Sequence, residues 1–249
     1  MNAETLDGRV VLVTGSGCGL GAALARAAAA RCARVALNCR ADGPRAAALA
    51  DELKKSGTEA LAFRADVTDH DQARGLVDEV LKAFGRVDVL FNTVGSFLWK
   101  PVADMDPKEW RTTLASNLDS VYNMCRLVLP SMRQNRFGRI VNLGAVGAER
   151  TQGQPETAAY SAAKAAVVAF SKALALEEAR GGITVNVVCP GVFLNGDGEP
   201  ALPAPLAQRV PVGRAGTQDD VVRATLFFAT PAADFLTGQV LAVSGGAGL

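Results

Sequence analysis

Val10-Val-Leu-Val-Thr14, followed without a break by Gly15-Ser-Gly-Cys-Gly19-Leu-Gly21, is the stretch whose reading decides the fold. Val10 to Thr14 form a short continuous run rich in β-branched residues, as expected of a strand buried on both faces of a parallel sheet. The glycine turn, which also holds Ser16 and Leu20, leads into an alanine-rich helix ending at about Cys32. Strand, glycine turn and helix in that order form the phosphate-binding opening of a dinucleotide fold. Glycines let backbone N–H groups approach a pyrophosphate, and the helix N-terminus faces its negative charge. A tight turn without a ligand can share this composition, so the position directly after the first strand carries the reading.

Composition narrows the function. The 249 residues are 49% apolar and 20% charged, enough for one α/β domain or two small ones. Lys and Arg number 26 against 25 Asp and Glu, a balance that argues against a nucleic-acid surface or a polybasic membrane patch. The five cysteines (Cys18, Cys32, Cys39, Cys125, Cys189) are scattered and never form a Cys-x-x-Cys pair. They read as reduced thiols of a cytoplasmic protein. The polar start, Met1-Asn-Ala-Glu-Thr5, is not a signal peptide, and the apolar stretch from Ala22 to Leu37 is broken by Arg26, Arg31 and Arg34, so no membrane span is expected. His70 is the single histidine, which removes His-dependent triads and most zinc chemistry; no metal site is expected. Its place in Thr68-Asp-His-Asp71 predicts the exposed first turn of a helix.

Strands and helices alternate along the rest of the chain. The second strand, Arg34 to Asn38, ends in Asn38-Cys39-Arg40, with no acid before Asp42 to bind a ribose hydroxyl. Arg40 can instead pair with a 2′-phosphate, which favours NADP(H) over NAD(H); a solvated loop arginine is the alternative. A helix over 44–56 is closed by Gly57, and a strand over Ala60 to Phe63 precedes Asp66-Val67. Asp69 with Gln72 three residues on predicts a capping box for a helix reaching Phe84 and Gly85. Asp88 to Asn92 is the fourth strand, ending in Thr93-Val-Gly95 at the ligand-binding side of such a sheet. A helix after Pro107 runs to Met132 with apolar residues every three or four positions, and places Asn117, a mediocre helix former, near its middle. The fifth strand is Gly138 to Leu143; a helix covers Thr157 to Ala179; Ile183 to Val188 is the sixth strand, leading to Cys189-Pro190-Gly191. Residues 192–216 predict a loop with a short helix covering the pocket, before a helix over Asp219 to Ala229 and a strand over Gln239 to Val243. No linker or repeat divides residues 1–249. The pattern predicts an α/β, three-layer Rossmann fold, a doubly wound and mostly parallel seven-stranded sheet in one domain.

Tyr160-Ser-Ala-Ala-Lys164 puts a phenol and an ammonium four residues apart, on one face of an alanine-rich helix. A nearby cation favours the phenolate, so such a tyrosine can exchange a proton with a carbonyl or alcohol oxygen. Alone the pair is also compatible with an ordinary helix.

In this order, Thr14-Gly15-x-x-x-Gly19-x-Gly21, Asp66-Val67, Asn92-x-x-Gly95, Asn117, Tyr160-x-x-x-Lys164 and Pro190-Gly191 resemble the short-chain dehydrogenase/reductase family over essentially the whole chain. Ile183-Thr-Val-Asn-Val-Val-Cys-Pro-Gly191 is most similar to its β-ketoacyl-carrier-protein reductase group. The resemblance implies that Tyr160 is the acid/base, that Lys164 holds the nicotinamide ribose and lowers the tyrosine pKa, and that Asn117 supports a water linking Lys164 to solvent. It implies that Gly15, Gly19 and Gly21 line the pyrophosphate, Asp66 and Val67 bracket the adenine, Asn92 and Gly95 shape the adenosine ribose side, and Pro190 and Gly191 flank the nicotinamide. Homo-oligomers, tetramers or dimers, joined by the helices of Asn117 and Tyr160 are implied too.

Three positions depart from the family pattern. Ala145 stands where a serine hydroxyl would hold the substrate oxygen; Thr151, Gln152, Gln154 and Thr157 are candidate replacements. Thr93-Val94 replaces Asn-Ala, and Asn195 replaces a threonine near the nicotinamide amide. The expected function is NADP(H)-dependent hydride transfer between nicotinamide and a small carbonyl or alcohol substrate. The alternative, motivated by Ala145, is imine reduction, elimination, cyclisation or a regulatory nucleotide-binding role. Phe97, Leu98, Trp99, Val192, Phe193 and Leu194 are candidates for an apolar pocket, for core or for an interface.

Overall fold

Short runs of Val, Ile, Leu and Ala pair in parallel into one seven-stranded sheet of order β3-β2-β1-β4-β5-β6-β9 in the computed structural model, which describes residues 5–40, 43–191, 193–194 and 210–248. The strands are β1 (Val10–Val13), β2 (Arg34–Cys39), β3 (Ala60–Arg64), β4 (Val89–Asn92), β5 (Gly138–Leu143), β6 (Ile183–Pro190) and β9 (Val240–Val243). Two short strands, β7 (Phe193–Leu194) and β8 (Gly216–Thr217), pair separately. Most of the predicted covering loop, with Asn195, lies outside the described residues.

Period-two alternation divides the core. Val11 and Val13 belong to the apolar layer on one face of the sheet, Val10 and Leu12 to the other, and all four are fully buried. The first layer is covered by α1 (Gly19–Ala29), α2 (Gly43–Lys55) and α7 (Gln218–Ala229), the second by α3 (His70–Phe84), α5 (Ser120–Asn135) and α6 (Ala158–Glu178). The chain leaves β1 towards β2 and β3, then returns to β4 on the other side of β1. That reversal parts the loops after β1 and β4 and opens a crevice at their C-terminal ends.

Three local expectations change. The helix predicted without interruption from Pro107 to Met132 is α4 (Pro107–Leu114), a π turn over Ala115–Asp119, then α5. Asn117 is the cause: its side-chain Nδ2 donates to the Thr113 carbonyl (2.9 Å), the acceptor its own backbone N–H would meet in a regular α-turn. The Asp69 cap forms, but Gln72 does not close the box on Asp69 N–H. Its Oε1 accepts from the Asp66 N–H (3.1 Å), so the start of α3 braces the Asp66 turn. His70 opens α3 as predicted but is half-buried, with Nδ1 3.2 Å from Asn123 Oδ1.

Helix α6 with its following turn (Ala158–Gly181) is the one described segment long and apolar enough to cross a membrane. Its apolar face is instead spent on the sheet, where Val167, Leu174 and Ala175 join the second core layer. A buried polar chain fixes it there. Asn92 Nδ2 donates to Asn142 Oδ1 (2.8 Å), Asn142 Nδ2 donates to Ser171 Oγ (2.9 Å), and the Ser171 hydroxyl donates to the Val167 carbonyl (2.6 Å). This links β4, β5 and α6. Asn142→Ala takes the oxygen acceptor from the buried Asn92 amide and the donor from the Ser171 hydroxyl, and is expected to lower the unfolding free energy by about 2–3 kcal/mol. Urea denaturation should show a lower midpoint with an unchanged slope.

Candidate active site

The crevice holds two cavities that share Gly15, Val94 and Gly95 in their walls. The larger, about 540 Å³, is lined by the glycine turn (Gly15, Cys18, Gly19, Leu20, Gly21), by Thr93, Val94, Gly95 and Phe97 after β4, by Asn117, Leu143, Gly144, Tyr160 and Lys164, and by Pro190 and Gly191 after β6. The smaller, about 260 Å³, is lined by Asn38, Arg40, Ala65, Asp66, Val67 and Thr68 on one side and by Ser96, Thr112 and Ser116 on the other. The sequence therefore brings together nearly all its candidate residues. Two are not brought in. Ser16 is buried, its N–H and hydroxyl both donating to the Asn38 carbonyl (2.8 and 3.1 Å), and Asn92 is held in the polar chain under α6.

At the glycine turn, a Cβ on Gly21 would fall 2.4 Å from the Gly15 carbonyl oxygen, so the first turn of α1 can approach the strand end only with glycine here. Helices α3, α4 and α7 close their first turns with Asp69, Asp106 and Thr217, whereas the Cys18 side chain at the head of α1 caps nothing. An anion is the complementary partner for such a terminus. At the far end, Arg40 is exposed over the smaller cavity, with Nη1 3.5 Å from Asp66 Oδ2. Burial alone would raise the Asp66 carboxyl; hydrogen bonds from the Thr68 hydroxyl and N–H, with the Arg40 charge, hold it below its ordinary value.

The chemistry-bearing end is built on Lys164, 5% exposed, whose Nζ donates to the Leu143 carbonyl (2.8 Å). Burial lowers its pKa to about 8. Tyr160 sits one turn earlier, and burial pushes its phenol up to about 12. This differs from the expectation that Lys164 lowers the tyrosine pKa. The ammonium lies 5.6 Å from the phenol ring centroid and is spent on a backbone carbonyl, so desolvation outweighs the cation's pull. Asn117 is fully buried; its Nδ2 donates to Thr113 and Ser96 carbonyls, while its Oδ1 has no partner among the described residues. A Cβ on Gly95 would meet Asn117 Oδ1 at 2.4 Å and Lys164 Nζ at 3.5 Å, so Oδ1 and Nζ flank the same glycine.

No hydroxyl replaces the one missing at Ala145 among the described residues of this wall. Thr151 donates to the Arg150 carbonyl, Thr157 is buried between the Gln154 carbonyl and Ser161, and neither Gln152 nor Gln154 lines either cavity. Thr93 donates to the Thr14 carbonyl. Tyr160 is thus the cavity's available side-chain hydroxyl. The sequence did not single out Cys18, Leu143 and Gly144 as lining residues, and it left Phe97 open among pocket, core and interface. Phe97 packs edge-on against Tyr160, ring centroids 4.8 Å apart at 71°.

A parallel sheet with this switch point, a glycine cradle and a Tyr160/Lys164/Asn117 cluster defines a nucleotide-dependent oxidoreductase class, and the chain belongs to the short-chain dehydrogenase/reductase family. The profile described as enoyl-(acyl carrier protein) reductase matches residues 15–248. Among curated relatives, 3-oxoacyl-[acyl-carrier-protein] reductase FabG of Escherichia coli (strain K12) is 36% identical over 244 residues, covering 96% of this chain and 97% of that protein. A gluconate 5-dehydrogenase from Burkholderia cenocepacia J2315, solved in complex with NADP and tartrate, has a TM-score of 0.91 at 34% identity, covering 98% and 97% of the two chains. A blue fluorescent protein from a metagenomic library, solved in complex with NADPH, has a TM-score of 0.89 at 33% identity, covering 97% and 98%.

Burying the Lys164 ammonium has a measurable signature. Its folded pKa, about 8, lies below the ordinary 10.5, so the unfolded chain binds the proton more tightly and this group stabilises the fold less as pH falls from about 10.5 to 8. Lys164→Met removes that penalty. In thermal unfolding without nucleotide, its stability relative to the native chain is expected to be greatest below about pH 8 and to shrink as pH rises towards 10.5.

Proposed function

We propose that this chain is an NADP(H)-dependent reductase of a carbonyl compound, acting as a single domain over residues 1–249, with Tyr160 as the proton donor. The unpartnered Asn117 Oδ1 beside Lys164, one turn from Tyr160 and at the end of an uncapped glycine cradle, carries this reading. Bound there, a nicotinamide dinucleotide supplies the hydride. The turn from Gly15 to Gly21 holds its pyrophosphate, Asp66 and Val67 flank the adenine, Arg40 binds the 2′-phosphate, and Pro190 and Gly191 border the nicotinamide. Lys164 holds the ribose, and Asn117 Oδ1 accepts from a water that returns protons by way of Lys164.

A phenol raised to about 12 is protonated at neutral pH, which suits it to give a proton to a carbonyl oxygen. The relatives named above as acting on 3-oxoacyl carrier protein and on gluconate, and those solved with NADP or NADPH, support a carbonyl or alcohol substrate and this cofactor. Exposed Trp110 and Tyr122 on α4 and α5, the latter packed on Phe170 of α6 with centroids 6.4 Å apart, support a homo-oligomer joined through these helices. Five free thiols fit a cytoplasmic location.

Tyr160→Phe should lower ketone-dependent NADPH oxidation by about 10²–10⁴-fold while leaving NADPH affinity near native, because it removes the transferable proton alone. Undiminished turnover in that variant would rule out the assigned proton donor. Arg40→Ala should weaken NADPH binding by roughly tenfold or more and leave NADH binding little changed, read by fluorescence titration of the two cofactors.

A further inference from the structure

Phe97 and Trp99 are large, apolar and more than half exposed, at 56% and 62%, yet they are held rather than loose. The segment carrying them is pinned at both ends. Asn117 Nδ2 donates to the Ser96 carbonyl (2.8 Å), and Ser96 and Ser116 hydroxyls lie 2.7 Å apart. Lys100 Nζ reaches both carboxylate oxygens of Glu109 at 2.8 Å, and its N–H donates to the Glu156 carbonyl (2.6 Å). The Glu156 carboxylate in turn accepts from the Trp99 indole N–H. Glu156 is held in the left-handed region at φ +64°, a strained conformation for a non-glycine residue, four positions before Tyr160.

Phe97 lines the larger cavity, and Trp99 extends its apolar surface from outside the lining. Trp99 lies against Phe97 with centroids 5.8 Å apart, and the Phe97 and Tyr160 rings form a T-shaped pair at 4.8 Å. The opposite requirement is polar: a carbonyl must be aimed at Tyr160, and Ala145 offers no second hydroxyl to aim it. A preorganised ring surface can supply that orientation by stacking. Resting on the carbonyl-reductase reading above, we propose that the substrate is an aryl ketone, whose ring packs on Phe97 and Trp99 while its oxygen meets the Tyr160 hydroxyl. Phe97 and Trp99 set specificity, and Glu156 is a positioning residue that holds Trp99 in place.

The test compares α-tetralone with 1-decalone, which share the fused two-ring skeleton and carbonyl position and differ in the aromatic ring. Conjugation makes the aryl ketone intrinsically less electrophilic, so a preference for it reports recognition. With NADPH, the native chain should favour α-tetralone by about tenfold in kcat/KM, the scale of one or two aromatic contacts. Phe97→Leu and Trp99→Leu should bring the ratio to one or below, and Glu156→Ala should lower it with both rings retained. A native ratio at or below one, or a ratio preserved in all three variants, overturns the proposal. Calorimetric titration of both ketones into the native chain saturated with NADP⁺ separates the two readings. Tighter α-tetralone binding without turnover of either ketone would uphold stacking and reject carbonyl reduction; equal affinities would overturn stacking whatever the turnover.

Discussion

Burying the Lys164 ammonium is the constraint around which the rest of the site is built. A charge at 5% exposure with a single carbonyl partner is unfavourable unless the surrounding chain is fixed. The fixing is visible at each neighbour. The Asn92–Asn142–Ser171 chain holds α6 on the sheet, and the Leu143 carbonyl at the end of β5 receives the ammonium. The π turn swings Asn117 inward, and Gly95 leaves room for its Oδ1 beside Nζ. The π turn and Gly95 together place the Asn117 amide beside this charge.

The electrostatic consequence is a phenol and an amine both shifted towards their neutral forms by desolvation. Tyr160 holds its proton more tightly than in water and Lys164 less tightly. That arrangement sacrifices stability for a site in which a proton can pass from phenol to oxygen, with the amine and the Asn117 amide behind it. Phe97 stands beside Tyr160 in the wall of the same cavity.

The sheet was readable in the sequence because buried parallel strands demand uninterrupted β-branched runs, and glycine-rich turns mark where such strands meet helices. The site's backbone was readable for the same reason: Gly21 and Gly95 occupy positions where a Cβ would collide with a backbone carbonyl or with Asn117. What escaped was whatever depends on side-chain direction. Ser16 and Asn92 have the chemistry of ligand contacts but point into buried hydrogen bonds. Asn117 was legible as an odd helix residue, not as the origin of a π turn, since nothing local says which carbonyl its amide will take. The proximity of Lys164 to Tyr160 was legible at one helical turn. The outcome for their pKa values was not, because burial rather than spacing decides it.

The central claim is that Tyr160 and Lys164 serve a hydride transfer from nicotinamide to a carbonyl carbon. Reduction of a ketone with NADPH carrying deuterium at both C4 positions tests it directly, with the alcohol analysed by mass spectrometry and NMR. Hydride transfer from C4 predicts one deuterium per alcohol, at the carbinol carbon, with the hydroxyl proton drawn from solvent. NADPH oxidation that yields an alcohol without deuterium at that carbon would contradict it.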